Sequence, residues 1–329
     1  MNRIAIIAYL SIINIFIFSS CGNQFDIDIS KTDDVSIKIS RYEKALFEKP
    51  IDSLRIIKLQ KDFPLFLGNT PIHPEQMQQL QDYVADPLLK DLYKKTMLVF
   101  PNLTTEEKNI SLSFRHIQYY YPNFQYPKVY SYISGVQDPV FYQEQIIMIS
   151  IDQYLGEQFD IYKKLGIPLY KQLSMQKKFF NKDILVSIAK SYIQAVSADA
   201  TLLEQMIYEG KILYFVKSMS PDISNSVLFS QTPAHIKWLQ NNESELWRYY
   251  IENELLYKSD YIAYNKFINE APFTAILGDD SAPKTGIWLG YQIIQSYMLH
   301  THISLTNMIK NHNAQDILQH SKYKPGKNY

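Results

Sequence analysis

The sequence predicts a mainly helical α+β protein with a small β-sheet, folded as one unit. Three observations predict it. Apolar residues recur at helical spacing over much of the chain. Only two runs have strand character. No Gly/Ser linker and no internal repeat separates one half from the other. Taken in order, Thr104-Thr105-Glu106-Glu107 carries a capping-box pattern, with Ile110, Phe114 and Ile117 following at helical spacing. Val129 to Ile133 is β-branched and aromatic and closes at Gly135. Ile146 to Ile151 is a second apolar run of strand length. A turn-prone segment at 135–139 lies between the two, so they are expected to pair. Thr232-Pro233 is a cap followed by a first-turn proline, and a Trp- and Tyr-rich helix continues through Leu246 to Leu256. Ile287, Tyr291, Ile294 and Met298 form a further stripe. Gly286 and Gly290 beside it read as close packing, not as a cofactor box.

Composition narrows the classes. The chain of 329 residues is 46% hydrophobic and 20% charged, which excludes a disordered protein. With 33 basic and 33 acidic side chains and no basic block, it has no attraction for nucleic acid. A single Cys excludes an internal disulfide and a Cys-based zinc cluster. Neither G-x-G-x-x-G nor a P-loop is present.

The N-terminus reads as an address. Arg3 precedes a charge-free run of 15 residues, Ile4 to Phe18. That is shorter than the roughly 20 residues a spanning helix needs, and it fits an export signal. Phe18-Ser19-Ser20-Cys21 follows, resembling a bacterial lipobox with the usual aliphatic residue replaced by Phe18. Residues 1–20 are then a lipoprotein signal peptide, and Cys21 is the lipid attachment site. Residues 21–35 form a polar tether, 36–320 a single globular domain, and 321–329 a loose tail. The partner implied is a membrane, held through acyl chains at roughly 0.8 kcal/mol per buried CH₂. Apart from that covalent lipid no cofactor is expected.

Four places were weighed for chemistry. The seven His residues contain no H-E-x-x-H pair, and His300-Thr301-His302 sits at a helix end, where it reads as surface. In the helix from Leu202, the residues Leu202, Leu203, Met206, Ile207, Leu213 and Tyr214 form one apolar face. Glu204 and Tyr208 point away from it. Glu209 lies at its edge, roughly 20° around from Leu202 on an ideal wheel. A carboxylate there is partly desolvated and needs a partner. Gly210 lies inside that face, which lets a neighbouring element approach. Asp152 follows the second strand and reads as a helix N-cap before it reads as an acid. No G-x-S-x-G elbow is present, so no hydrolase triad assembles. No catalytic and no metal residue is assigned. Glu209, Asp152 and Glu204 stand as candidate cleft carboxylates.

Several segments together resemble a known family. The signal and lipobox come first, then Phe114-Arg115-His116-Ile117-Gln118-Tyr119-Tyr120-Tyr121-Pro122 and Ile149-Ser150-Ile151-Asp152-Gln153-Tyr154-Leu155-Gly156. Later come Met206 to Phe215, Asn269-Glu270-Ala271-Pro272-Phe273-Thr274 and Gly286 to Ile293. In this order they resemble the gliding-motility lipoprotein GldB family of Bacteroidetes. The resemblance implies an envelope lipoprotein that supports gliding and the protein-secretion machinery tied to it. The family also looks distantly similar to H-E-x-x-H zinc metallopeptidases, which implies a zincin-like fold. There a downstream Glu-Gly helix supplies the third metal ligand, and the matching residue is Glu209. The matching upstream helix, near Asp183 to Tyr192, contains no His. One carboxylate cannot hold catalytic zinc, which takes three protein ligands.

The preferred reading is therefore a non-catalytic, lipid-anchored envelope protein on a degenerate metallopeptidase-like scaffold. Its body faces the periplasm and its partners are other envelope proteins. Two alternatives stand beside it. One is a cryptic hydrolase using Glu209 and Asp152, with Glu204 nearby. The other is a structural lipoprotein whose only functional residue is Cys21.

Overall fold

The computed structural model describes residues 25–157, 159–259 and 261–326. The signal peptide, Cys21 and residues 327–329 lie outside the described residues. Strand β1 (Ile39–Arg41) is followed by five short helices and then by α1 (Thr104–Tyr120). The sheet continues with β2 (Lys128–Tyr132), β3 (Val140–Gln143) and β4 (Ile146–Ser150). Four helices then carry most of the packing: α2 (Phe180–Tyr192), α3 (Leu202–Met219), α4 (Pro233–Glu252) and α5 (Thr285–Thr301). The helix labels cover these five alone. Shorter helices are given by residue range.

The fold is α+β and mostly helical, with one small sheet, as the residue pattern predicts. The order is β1-β2-β4-β3. The two runs expected to pair do so, but in parallel, with Val129 opposite Ile147 and Ser131 opposite Ile149. The turn-prone segment between them feeds β3, which pairs antiparallel with β4. One face of the sheet, with Val129, Ile147 and Ile149, joins the main core. The other face, with Tyr130, closes a smaller cluster with Tyr42, Leu46, Leu59 and Phe63.

The central contact is between α3 and α5. A Cβ built on Gly210 would lie 2.4 Å from the Gly290 carbonyl oxygen, and one on Gly290 would lie 1.9 Å from the Met206 carbonyl oxygen. Only hydrogen fits at both positions, so the backbones meet without side chains between them. Helix α3 is in consequence buried nearly all round. The single apolar face read from the wheel is too narrow, because Ile212, Phe215, Val216, Ser218 and Met219 are buried as well.

Two helix starts are written in the sequence, a capping box at Thr104 and a cap with a first-turn proline at Thr232, and the structure uses the first differently. At α1 the N-cap is Leu103, and Glu107 does not close a box. It accepts from the Ile39 backbone N–H at 3.1 Å and from Lys38 Nζ at 2.8 Å. The outer edge of β1 competes for this carboxylate and wins. At α4 the expectation holds: Thr232 Oγ1 accepts from the His235 N–H at 3.1 Å, with Pro233 at the first helical position. That helix stops at Glu252, and Glu254 turns left-handed at φ 52°, so the Trp- and Tyr-rich helix is shorter than expected.

Both ends of the described chain are tied down further than the sequence suggests. Phe25 is buried with its ring 5.1 Å from that of Tyr214. Arg115 Nη2 donates to the Ile29 carbonyl at 3.0 Å, and Gln118 exchanges bonds with Asp33 at 2.7 and 3.0 Å. Ile37 N–H donates to Ser111 Oγ at 2.9 Å. Residues 25–37 are thus strapped along α1, and the tether of 21–35 is anchored from Phe25 onward. At the other end Ser321 and Tyr323 are buried, and the Tyr323 hydroxyl donates to Glu243 Oε1 at 2.9 Å. The segment expected to be loose from 321 begins ordered, because an aromatic ring there finds a carboxylate partner inside the core.

Candidate functional site

Glu204, Asp152 and Glu209 occupy three separate settings. Glu204 belongs to a capping box at the start of α3. Its Oε2 accepts from Thr201 N–H at 2.7 Å and Thr201 Oγ1 at 2.8 Å, and Thr201 Oγ1 accepts from the Glu204 N–H at 3.3 Å. This carboxylate completes a helix end and does not face a cleft with the other two.

Asp152 is fully buried. It accepts from the backbone N–H groups of Ser134 at 3.0 Å and Val136 at 2.7 Å, and from Ser134 Oγ at 3.2 Å. Gly135 and Val136 both have positive φ, 77° and 65°. The carboxylate therefore holds open a strained turn between β2 and β3. It is not an N-cap. The cap of its own 3-10 turn is Ser150, which makes no side-chain cap bond. Burial pushes the Asp152 pKa above the ordinary value, and the two N–H donors pull it back.

Glu209 stands on α3 one residue before the Gly210 crossing. No hydrogen bond reaches its carboxylate among the described residues. Burial raises its pKa, opposed by the charges of Lys190, Lys284 and Lys182 in that order. Lys182 and Lys190 come from α2, the helix expected opposite Glu209. Lys182, Val186 and Lys190 follow one another at four-residue intervals and are among the half-buried to exposed positions of that helix. Lys182 Nζ lies 2.9 Å from Ser230 Oγ and 3.1 Å from Asp183 Oδ1. Lys284 precedes α5, with its Nζ 3.7 Å from Glu270 Oε1. Burial lowers its pKa, and Glu270 opposes this.

Lys182, Ser230, Lys284 and Glu270 form a polar floor, and two of its residues, Ser230 and Lys284, adopt left-handed backbone, at φ 50° and 57°. Such positions cost energy and persist where the surroundings demand them. Beside them Gln231 Nε2 donates to the Pro283 carbonyl at 2.8 Å. Gln231 Oε1 and His235 Nδ1 are buried without a hydrogen-bond partner among the described residues. Burial and the Lys284 charge lower the His235 pKa.

Glu209 and Asp152 have no partner in common: the first feels the charges of Lys190, Lys284 and Lys182, and the second is held by backbone N–H groups and the Ser134 hydroxyl. Zn²⁺ takes three protein ligands from imidazole, thiolate or carboxylate, and the charges that act on Glu209 are those of lysines. Among the described residues no group of three His, Cys, Asp or Glu is arranged to hold a metal ion. His300 and His302 lie exposed at the end of α5, with His300 Nδ1 2.8 Å from the Ser296 carbonyl, which is the surface position expected.

The sequence reading missed Lys182, Lys190, Lys284, Ser230 and His235. It also missed Lys211, the next residue but one after Glu209. Lys211 is buried and donates to the carbonyls of Ile309, at 3.3 Å, and Asn311. Burial lowers its pKa to about 8.

The fold is an α+β body built on a glycine-mediated helix crossing, with a carboxylate beside the crossing that feels the charge of three lysines. The chain belongs to the family described as gliding motility protein GldB, whose sequence model matches residues 22–325. No curated protein and no solved structure matches it. Within the family segments, Arg115 and Gln118 strap the N-terminal segment, and Glu270 pairs with Lys284. Gly210 and Gly290 form the crossing. No described helix is long and apolar enough to cross a membrane.

Proposed function

We propose that this protein is a non-catalytic envelope lipoprotein that supports gliding, on a metallopeptidase-like scaffold whose cleft has lost its metal. One observation carries the reading. Glu209 sits where the resemblance puts a metal ligand, yet α2, the helix that would bring the two imidazoles, carries no His, and the charges it adds at Glu209 are those of Lys190 and Lys182. A cleft with its shape kept and its ligands exchanged for ammonium groups binds and does not hydrolyse.

Cys21 carries the lipid in this reading, and the body faces the periplasm, because Gly22 to Phe25 holds no acidic cluster. Three residues separate Cys21 from buried Phe25, four chain steps with a reach of about 14 Å. The body therefore rides close to the bilayer, positioned to meet other envelope proteins of the gliding and secretion machinery. Deleting the gene from a gliding host should stop spreading, and Cys21→Ala should fail to restore it. Gliding that survives the deletion would overturn the proposal.

A further inference from the structure

Helix α3 has a second stripe, separate from the one that carries Glu209. On an ideal wheel Glu204, Ile207, Tyr208 and Lys211 fall within roughly 100°, while Glu209 lies roughly 140° around from Glu204. All four line one cavity of about 260 Å³. The segment 194–197, which follows α2, and His312 complete its wall. The cavity therefore runs along roughly two turns of α3, with a carboxylate at its start and an amine at its far end.

Neither charge is matched by the protein. Lys211 is only 3% exposed. It forms no ion pair among the described residues, and its Nζ donates to neutral carbonyls, those of Ile309 at 3.3 Å and Asn311. Asn311 directly precedes His312, so the amine stands at the His312 end of the cavity. The two bonds close the C-terminus of the helix Leu305–Lys310 and leave one of the three ammonium donors over. Burial lowers the pKa to about 8, so the charge is present at neutral pH. A buried ammonium held by carbonyls alone is costly until a carboxylate meets it. At the other end, Glu204 closes its capping box through Oε2. Its Oε1 has no hydrogen-bond partner among the described residues. Between the two ends, the backbone N–H and C=O groups of Gln194, Ala195 and Val196 are also without partners among the described residues.

We propose that this cavity binds a dipeptide with both ends free, its carboxylate on Lys211, its ammonium on Glu204 Oε1 and its amide against the backbone of 194–196. Charge selects a zwitterion, because a simple anion would meet Lys211 and leave Glu204 facing it along the groove. Length selects a dipeptide. The Cα atoms of Glu204 and Lys211 stand roughly 10 Å apart along the helix axis. A dipeptide spans about 7 Å, and an ion pair takes about 2.8 Å at each end. A free amino acid spans half as much and leaves one charge unmet. Ile207, buried between the two charges, favours small apolar side chains on the ligand. Glu209 takes no part, so the site is independent of whether that carboxylate holds a metal.

The test is titration calorimetry on the full chain in mild detergent at neutral pH, with Ala-Ala as probe. Saturable binding is expected. Acetyl-Ala-Ala, which lacks the ammonium, and Ala-Ala-amide, which lacks the carboxylate, should each bind at least about tenfold more weakly. Glu204→Gln keeps the capping box, which Gln also closes. It should weaken Ala-Ala at least about tenfold and leave acetyl-Ala-Ala unchanged. Lys211→Met should weaken Ala-Ala and leave Ala-Ala-amide unchanged. Should that variant not fold, the amide probe on the wild-type chain decides the same point. No saturable heat from Ala-Ala, equal binding of the capped probes, or alanine bound as tightly as Ala-Ala would overturn the assignment. So would unchanged affinity in Glu204→Gln. If Ala-Ala fails to bind while gene deletion still stops gliding, the peptide site falls and the functional reading stands.

Discussion

Asp152 is fully buried and Glu209 half-buried, and burial raises the pKa of both. Asp152 is met by two backbone N–H groups and a serine hydroxyl. Glu209 is met by no hydrogen bond among the described residues, only by the field of three lysines. A carboxylate with its donors in place holds structure together. One that lacks them is a cost the fold carries, and such costs collect where a surface does something else. The contrast separates a structural acid from a site acid when their pKa directions agree.

The hardest blow to this contrast comes from the helix crossing that positions Glu209. Gly290→Ala would put a methyl group inside the Met206 backbone, so α3 and α5 must part. The expected loss is at least about 3 kcal/mol, read from a denaturant midpoint, with Lys284 displaced from the floor. Asp152→Ala comes next. It strands two buried N–H donors at roughly 1–3 kcal/mol each, so a loss of about 3–5 kcal/mol is expected by chemical denaturation.

Lys211 sharpens the comparison from the cationic side. Its folded pKa of about 8 lies below the ordinary 10.5, so the unfolded chain binds more protons between those values. Stability should therefore rise with pH from about 8 to 10.5, by no more than about 3 kcal/mol. Lys211→Met should remove that rise in melting curves taken across the window.

Glu209→Gln should have the smallest effect, within about 1 kcal/mol at neutral pH, since no hydrogen bond is lost. Its signature is in acid. The folded pKa lies above 4.5, so wild-type stability gains as pH falls through the folded value, and the gain is complete below 4.5. The variant should lack that gain. Equal losses for Asp152→Ala and Glu209→Gln would break the contrast.

Much of this was legible in the residues. Helices α1, α3, α4 and α5, the two strand runs and the close-packing glycines follow from spacing and cap residues; the helices between β1 and α1 do not. The remainder was decided by tertiary competition. Thr104 with Glu107 and Thr201 with Glu204 carry the same kind of capping pattern, yet only the second closes, because β1 takes Glu107. The β3 hairpin turns on Glu144 and Gln145, where a sequence reader looks for Asn-Gly. Val136 adopts positive φ against its β-branch because Asp152 holds its N–H. The lysines around Glu209 come from separate elements, and only the fold brings them together.

The proposed function depends on Glu209 holding no metal ion. The most direct measurement is the metal content of the protein purified without chelator, together with its melting curve with and without added zinc. The account predicts less than about 0.1 zinc per chain and no zinc-dependent rise in Tm. Near one zinc per chain, lost in Glu209→Gln, would contradict it.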